Sequence, residues 1–257
     1  MKLYCFGTGA GTEPIKERKH VSFALEINNQ FYWFDAGEGC SYTASMMGVD
    51  LLKVKAIFIS HSHMDHVGGL GNLLWNIRKN TLIGKGFPIA GQLDVYYPNQ
   101  RSWDGLMMML QETEGGFKLG YKMNASLIQD GIIYQDENIK VEANHNYHMQ
   151  KEEPWTSYSF RITAENKVII YSGDVDSYDD LIPLLRDGCD ILMCETGHFN
   201  ANVIVDMVLA NKYRVDKIYY IHCGNDILAD KQRVLSSLSS YNMEIKITED
   251  KEIIEII

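Results

Sequence analysis

His61-Ser62-His63-Met64-Asp65-His66 gathers three of the chain's eight histidines and a carboxylate within six residues. Imidazole and carboxylate are the donors that zinc, manganese and iron accept. On an extended loop, residues two apart point the same way, so His61 and His63 can share one ion. Asp65 and His66, further round the turn, can reach a second. Gly68-Gly69 is expected to let the backbone turn tightly behind them. Two ions need more donors than one loop supplies. His148, Asp174 and His222 each follow an apolar strand or lie in a strand-end loop, and Asp174 is the natural carboxylate to bridge both ions. A hydroxide held between two metals about 3.5–4 Å apart is a nucleophile available at neutral pH, so the chemistry expected is hydrolysis. Structural zinc sites are closed by four ligands, usually including Cys. This donor set contains no Cys and looks open.

Such donors need strands to carry them. Val21 to Ile27 and Phe31 to Phe34 flank Asn28-Asn29-Gln30 and read as a hairpin. Ala56 to Ser60 is a buried strand running straight into His61, and an apolar, helical stretch follows Gly69 as far as Ile77. In the second half, Lys167 to Tyr171 precedes Asp174, Asp190 to Cys194 precedes Glu195, and Lys217 to Ile221 precedes His222. Helical patterns near 178–186, 201–213 and 229–240 separate or follow them, and alternating runs at Glu244–Thr248 and Glu252–Ile256 close the chain. Strands ending in polar residues with helices between them describe a layered α/β domain. Two sheets face to face with helices outside would bury every apolar strand. No Pro- or Ser-rich linker interrupts the chain, so residues 1–257 are expected to form one domain.

HxHxDH, a later His, an Asp in Ser172-Gly173-Asp174 and a final His after a strand resemble the metallo-β-lactamase superfamily. The resemblance implies an αββα four-layer sandwich. It also implies one metal held by His61, His63 and His148, a second held by Asp65, His66 and His222, and Asp174 bridging them. Zinc is the expected ion, with manganese and iron as alternatives. Asp35, in Phe34-Asp35-Ala36-Gly37-Glu38-Gly39, matches the family's carboxylate that orients the ligand loop. For the third histidine, Asn146-Tyr147-His148 fits the family register better than His145 does. Gly7-Thr8-Gly9-Ala10-Gly11, the Asp35 segment and Ser157-Tyr158-Ser159-Phe160 resemble the ribonuclease Z branch. There Glu195 and His198 match an acid pair in which a carboxylate orients a His able to protonate a leaving oxygen. Asp65 is implied as a proton acceptor.

The resemblance covers roughly residues 1–77 and 139–225 and weakens toward substrate. That ribonuclease has Gly where Met64 stands and an Arg-Tyr pair where Cys223-Gly224 follow His222, and this chain has no Gly/Pro-rich arm for gripping transfer RNA. The function expected is therefore hydrolysis of a phosphodiester, phosphoester or related ester. The alternatives are ribonuclease Z-type tRNA 3′ processing and a non-enzymatic metal-bearing binding module. Diiron redox relatives carry Glu in place of the second motif His; His63 argues for the hydrolytic class.

Composition narrows the partners. A net charge of −10 over 257 residues disfavours general nucleic-acid binding, which draws on Lys and Arg. Lys16, Arg18 and Lys19 form the best local basic patch, whose plainer reading is a solvated loop. Five cysteines without CxxC spacing fit a reducing compartment, and no signal-peptide core or apolar run of membrane-spanning length is present. The cytoplasm is the expected location. Gly7 to Gly11 lacks the order of a nucleotide loop and fits a turn approaching the metal site. Residues 78–138 match no known pattern and are expected to be a variable insert or lid. Within them Leu106-Met107-Met108-Met109-Leu110 reads as a helix facing the core or a homodimer partner, with a substrate wall as the alternative. Gly115-Gly116 is expected to end that helix.

Overall fold

Asn28 and Asn29 turn the chain with φ of 49° and 63°, the left-handed values a two-residue hairpin turn requires and Asn tolerates. This is the hairpin legible in the sequence, and it sits in the middle of the first sheet. The computed structural model describes every residue except Asn242. The described residues divide into two units. Met1–Gly7, Lys16–Ile128 and Glu249–Ile257 form the first; Thr8–Ile15 and Gln129–Thr248 form the second.

The first unit holds β1 (Lys2–Gly7), β2 (Ser22–Ile27), β3 (Gln30–Phe34), β4 (Val54–Phe58), β5 (Gln92–Tyr97), β6 (Lys122–Leu127) and, from the C-terminus, β14 (Ile253–Glu255). The order β14-β1-β2-β3-β4-β5-β6 is antiparallel up to β3 and parallel from β3 to β6. Helices α1 (Cys40–Met46), α2 (Met64–Val67), α3 (Leu70–Leu82) and α4 (Gln100–Gln111) belong to it. Its core gathers Phe6, Trp33, Ile57, Leu73 and Leu74, all fully buried. Four rings in register across neighbouring strands stack as Phe23–Phe34, Phe34–Phe58 and Phe58–Tyr96, with centroids 5.1, 4.9 and 5.2 Å apart. Such cross-strand aromatic pairs lock register. Here they lie just before Asp35 and Ser60, so they hold level the strand ends from which the site is built.

The second unit holds β7 (Gly131–Gln135), β8 (Ile139–His145), β9 (Tyr158–Ala164), β10 (Lys167–Tyr171), β11 (Cys189–Thr196), β12 (Val215–Cys223) and β13 (Glu244–Ile247), in the order β13-β12-β11-β10-β9-β8-β7. Strands β10 to β13 are parallel. Helices α5 (Ile182–Leu185), α6 (Ala201–Ala210), α7 (Asn225–Ala229) and α8 (Lys231–Leu238) accompany them. Parallel strands send their C-terminal ends to one edge, the edge at which open α/β sheets bind ligands. Asp174, Glu195 and His222 all lie at that edge.

Several boundaries differ from those read in the sequence. The 178–186 pattern splits into a 3-10 turn, Tyr178–Leu181, and α5, because Pro183 starts a fresh turn. The last helical pattern breaks at Asp230, whose side chain caps α8 by accepting from Arg233 N. Helix α4 stops at Gln111, four residues before the glycines expected to end it. Gly115 and Gly116, with φ of 73° and 62°, instead shape the turn after it. Residues 78–138 supply β5, α4, β6 and β7, so they are woven into both sheets. In the basic patch Lys16 and Lys19 are exposed, as a solvated loop predicts, whereas the Arg18 side chain is 5% exposed and faces Glu249 at 3.8 Å. Among the described residues no helix is long and apolar enough to cross a membrane.

Candidate active site

In the first unit, β3 and β4 end side by side and deliver Asp35 and Ser60. Asp35 is fully buried with φ of 51°, a left-handed backbone that costs energy outside Gly unless its surroundings enforce it. They do. Asp35 O accepts from Trp33 Nε1 at 2.8 Å and from Ser22 Oγ at 2.8 Å, and Asp35 N donates to Phe58 O at 2.9 Å. The carboxylate held this way accepts from Ser60 N at 2.7 Å and Ser60 Oγ at 2.8 Å, and pairs with His66 Nδ1 at 2.8 Å. A proton on Nδ1 leaves Nε2 of His66 as the lone-pair nitrogen. That is how a carboxylate fixes the tautomer of a metal-binding imidazole.

The His61 ring lies 4.0 Å from the His66 ring and 4.7 Å from the His63 ring. Asp65 Oδ2 stands 3.7 Å from His66 Nε2. Within this unit the four donors of the motif therefore share one face. Gly68 and Gly69, expected to be there for tight turning, have ordinary right-handed φ of −58° and −97°. Their requirement is space. A Cβ on Gly69 would lie 2.2 Å from Gly37 O, and one on Gly37 would lie 2.4 Å from Asp65 O. The Asp35 loop and the ligand loop touch backbone to backbone, with Ala36 N donating to His66 O at 2.7 Å.

The same unit has a cavity of about 560 Å³ lined by Ser62, Met64, Trp75, Tyr97, Leu106 and Met109 among others. Leu106 and Met109 of α4 thus form a wall, while Met108 is largely exposed and Met107 packs on the core.

In the second unit, Asp174 is 2% exposed. Its Oδ1 lies 3.4 Å from His222 Nδ1 and its Oδ2 lies 3.7 Å from His148 Nε2. One carboxylate thus turns a different oxygen to each of two histidines. His145, the competing candidate, is tied to Asp130 through Nδ1 at 2.6 Å and stacks on Trp155 at 4.2 Å. His222 sits at the end of β12 with φ of 53°. Glu195 is fully buried, and its carboxylate accepts from Val175 N at 2.9 Å and from His198 Nδ1 at 2.7 Å. Burial alone would raise the Glu195 carboxyl, but neighbouring His198 and His222 outweigh it and hold it below the usual range. The hydrogen bond to Glu195 correspondingly raises His198, despite its partial burial. Ligand atoms of Glu195, His198 and His222 lie within 4.8 Å of one another.

The donor chemistry fits divalent ions. A tetrahedral site with ligand bonds of about 2.1 Å has edges of about 3.4 Å. The donor spacings of 3.4 and 3.7 Å around Asp174, and of 3.7 Å between Asp65 and His66, match that edge.

Sequence reasoning missed the residues that hold these donors. Asn146 Oδ1 accepts from His148 N at 3.2 Å, while its Nδ2 donates to Ser159 Oγ at 3.1 Å. Ser172 Oγ accepts from Glu195 N at 3.0 Å. Gly197 packs against His222, since a Cβ there would lie 2.8 Å from both Cε1 and Nδ1 of the imidazole. Gly197→Ala is expected to destabilise the fold by about 1–3 kcal/mol through overpacking and to weaken metal binding as His222 is displaced. Denaturant unfolding and zinc titration check this; a variant unchanged in both would contradict it.

Comparison with known proteins follows these features. The metallo-β-lactamase fold protein YhfI from Bacillus subtilis superposes with a TM-score of 0.75 at 17% identity, covering 99% of each chain. Human tRNase Z, short form, superposes at 0.73 and 20% identity, covering 100% of each. These likenesses establish the metallo-β-lactamase fold, two mixed sheets with flanking helices, as the sequence motifs implied. Ribonuclease Z of Shouchella clausii (strain KSM-K16) is 32% identical over 170 residues, 65% of this chain and 49% of the relative. This chain thus spans about half the length of that curated relative. A family model described as Anti-Pycsar protein Apyc1 matches residues 1–233. With nine-tenths of its length under that model, and with the fold and the ribonuclease Z similarity just described, the chain belongs to the Anti-Pycsar protein Apyc1 family.

Proposed function

We propose that this chain is a metal-dependent hydrolase of phosphodiesters or related phosphoesters, built for two divalent ions. The observation that carries the reading is Asp174, whose two oxygens face different histidines, His222 and His148. In this reading His61, His63 and His148 would hold one ion and Asp65, His66 and His222 the other, with Asp174 shared. Zinc suits this nitrogen-rich set best, and manganese or iron would also be accepted. Bound there, the ions would supply Lewis-acid charge at the phosphoryl oxygens and lower the pKa of water enough to give a nucleophile at neutral pH.

The chain's own residues do the rest. Asp35 and Ser60 orient His66. Asp65 receives a proton from the attacking water. Glu195 holds the His198 Nδ1 proton, so the Nε2 proton is the one given to the leaving oxygen. The hydrogen bond that raises His198 keeps this acid charged to higher pH than an ordinary imidazole.

A small phosphodiester is the favoured substrate. The net charge of −10, the buried Arg18 and the Cys223-Gly224 sequence after His222 all weigh against a tRNA grip. Five free, buried cysteines go with a reducing, cytoplasmic setting. The test is turnover of bis-p-nitrophenyl phosphate by zinc- and manganese-loaded protein, abolished by a chelator, restored by metal, and lost in His66→Ala. Metal-loaded protein inactive across phosphodiesters, lactones and thioesters would instead support a binding module. Activity on pre-tRNA alone would restore the RNA-processing reading.

A further inference from the structure

His148 and Asp174 reach their positions from different parts of the second sheet. His148 lies in the loop between β8 and β9, and Asp174 follows β10. Both residues lie beyond the last paired residues of those strands, in irregular loops. Asp180, 8% exposed, lies in the 3-10 turn Tyr178–Leu181. Its Oδ2 accepts from Tyr147 N at 3.1 Å and from Asp176 N at 3.1 Å. Tyr147 precedes His148, and Asp176 lies two residues beyond Asp174. One carboxylate oxygen therefore joins the two loops beside their donors. The same turn reaches the third element of the site, because the Tyr178 phenol OH donates to Glu195 O at 2.7 Å.

We propose that Asp180 is a positioning residue that sets the separation of His148 from Asp174 and so the metal affinity of the pair. The proposal rests on reading those two residues as metal ligands. A buried carboxylate accepting two backbone N–H groups is hard to replace. If it is truncated, both donors lose their partner and the loops lose their shared anchor. Partners of this kind outside the ligand set typically change metal affinity by about 10–100-fold. Nothing in Ser177-Tyr178-Asp179-Asp180 as a sequence marks the fourth residue over the third. Asp179 is exposed while Asp180 is buried, and only the tertiary contacts separate them.

The experiment compares Asp180→Ala and Asp180→Asn with the unsubstituted protein, using zinc affinity measured by competition with a chromophoric chelator. Asp180→Ala is expected to bind zinc about 10–100-fold more weakly, and its kcat/KM for bis-p-nitrophenyl phosphate should fall in parallel and recover as zinc is raised. Asp180→Asn keeps an acceptor oxygen in place and should stay near the original affinity. A purely structural role would lower the unfolding temperature without weakening zinc binding. Asp180→Ala with unchanged zinc affinity, or Asp180→Asn as weak as Asp180→Ala, overturns the proposal. Should Asp180→Ala fail to fold, Asp180→Glu moves the acceptor by one methylene and must weaken zinc binding for the proposal to stand. His148→Ala and Asp174→Ala separate the two levels. If they too keep full zinc affinity, the ligand reading fails; if they lose it and Asp180→Ala does not, only the positioning role fails.

Discussion

Asp174→Ala is expected to lower kcat/KM for bis-p-nitrophenyl phosphate by about 10³-fold or more. Lewis-acid stabilisation by a bound metal is worth several kcal/mol, and each 1.36 kcal/mol is tenfold in rate. Asp174 faces both His148 and His222, so its loss should reduce the bound metal as well as the rate. Metal analysis after gel filtration, set beside the kinetics, reads both. Asp174→Asn separates charge from shape: it keeps the outline and an oxygen but removes the negative charge that two cations would share. A variant that retains full metal content and turnover would remove Asp174 from the site and with it the two-ion proposal.

The second large effect concerns His198. General acids contribute about 10²–10⁴-fold, but only when the leaving oxygen needs a proton. p-Nitrophenolate leaves readily without one, whereas an alkoxide or a sugar hydroxyl does not. His198→Ala is therefore expected to cost about 10²–10⁴-fold on a phosphodiester with an alkyl leaving group and far less on bis-p-nitrophenyl phosphate. Glu195→Gln should show the same leaving-group dependence more weakly, since Gln can still accept from Nδ1 at the observed 2.7 Å position but no longer favours the charged imidazole. Equal losses on both substrates would assign His198 to binding or folding instead of proton donation.

Much of the fold was legible because its signals are local. The Asn28-Asn29 hairpin follows from the left-handed preference of Asn, and the apolar runs before Asp174, Glu195 and His222 could bury themselves only as strands. Legibility failed where residues distant in sequence decide the outcome. Residues 78–138 carried no recognisable pattern, yet β5 and β6 extend the first sheet and β7 closes the edge of the second, because strands are recruited by pairing and need no motif. The glycines show the same limit. The sequence suggested freedom to turn at Gly68-Gly69, while the fold needs the missing Cβ where backbones meet at Gly37 and Gly69.

By itself the sequence determined the candidate donors, their order, and the strand ends that carry them, since periodicity and residue type act over a few neighbours. Tertiary structure alone decided which oxygen of Asp174 faces which histidine, that His145 pairs with Asp130 instead, and that Asp180 accepts from Tyr147, 33 residues away. The physical reason is that a hydrogen bond depends on ångström-scale placement, and that placement is set by sheet order and register, which no local pattern encodes.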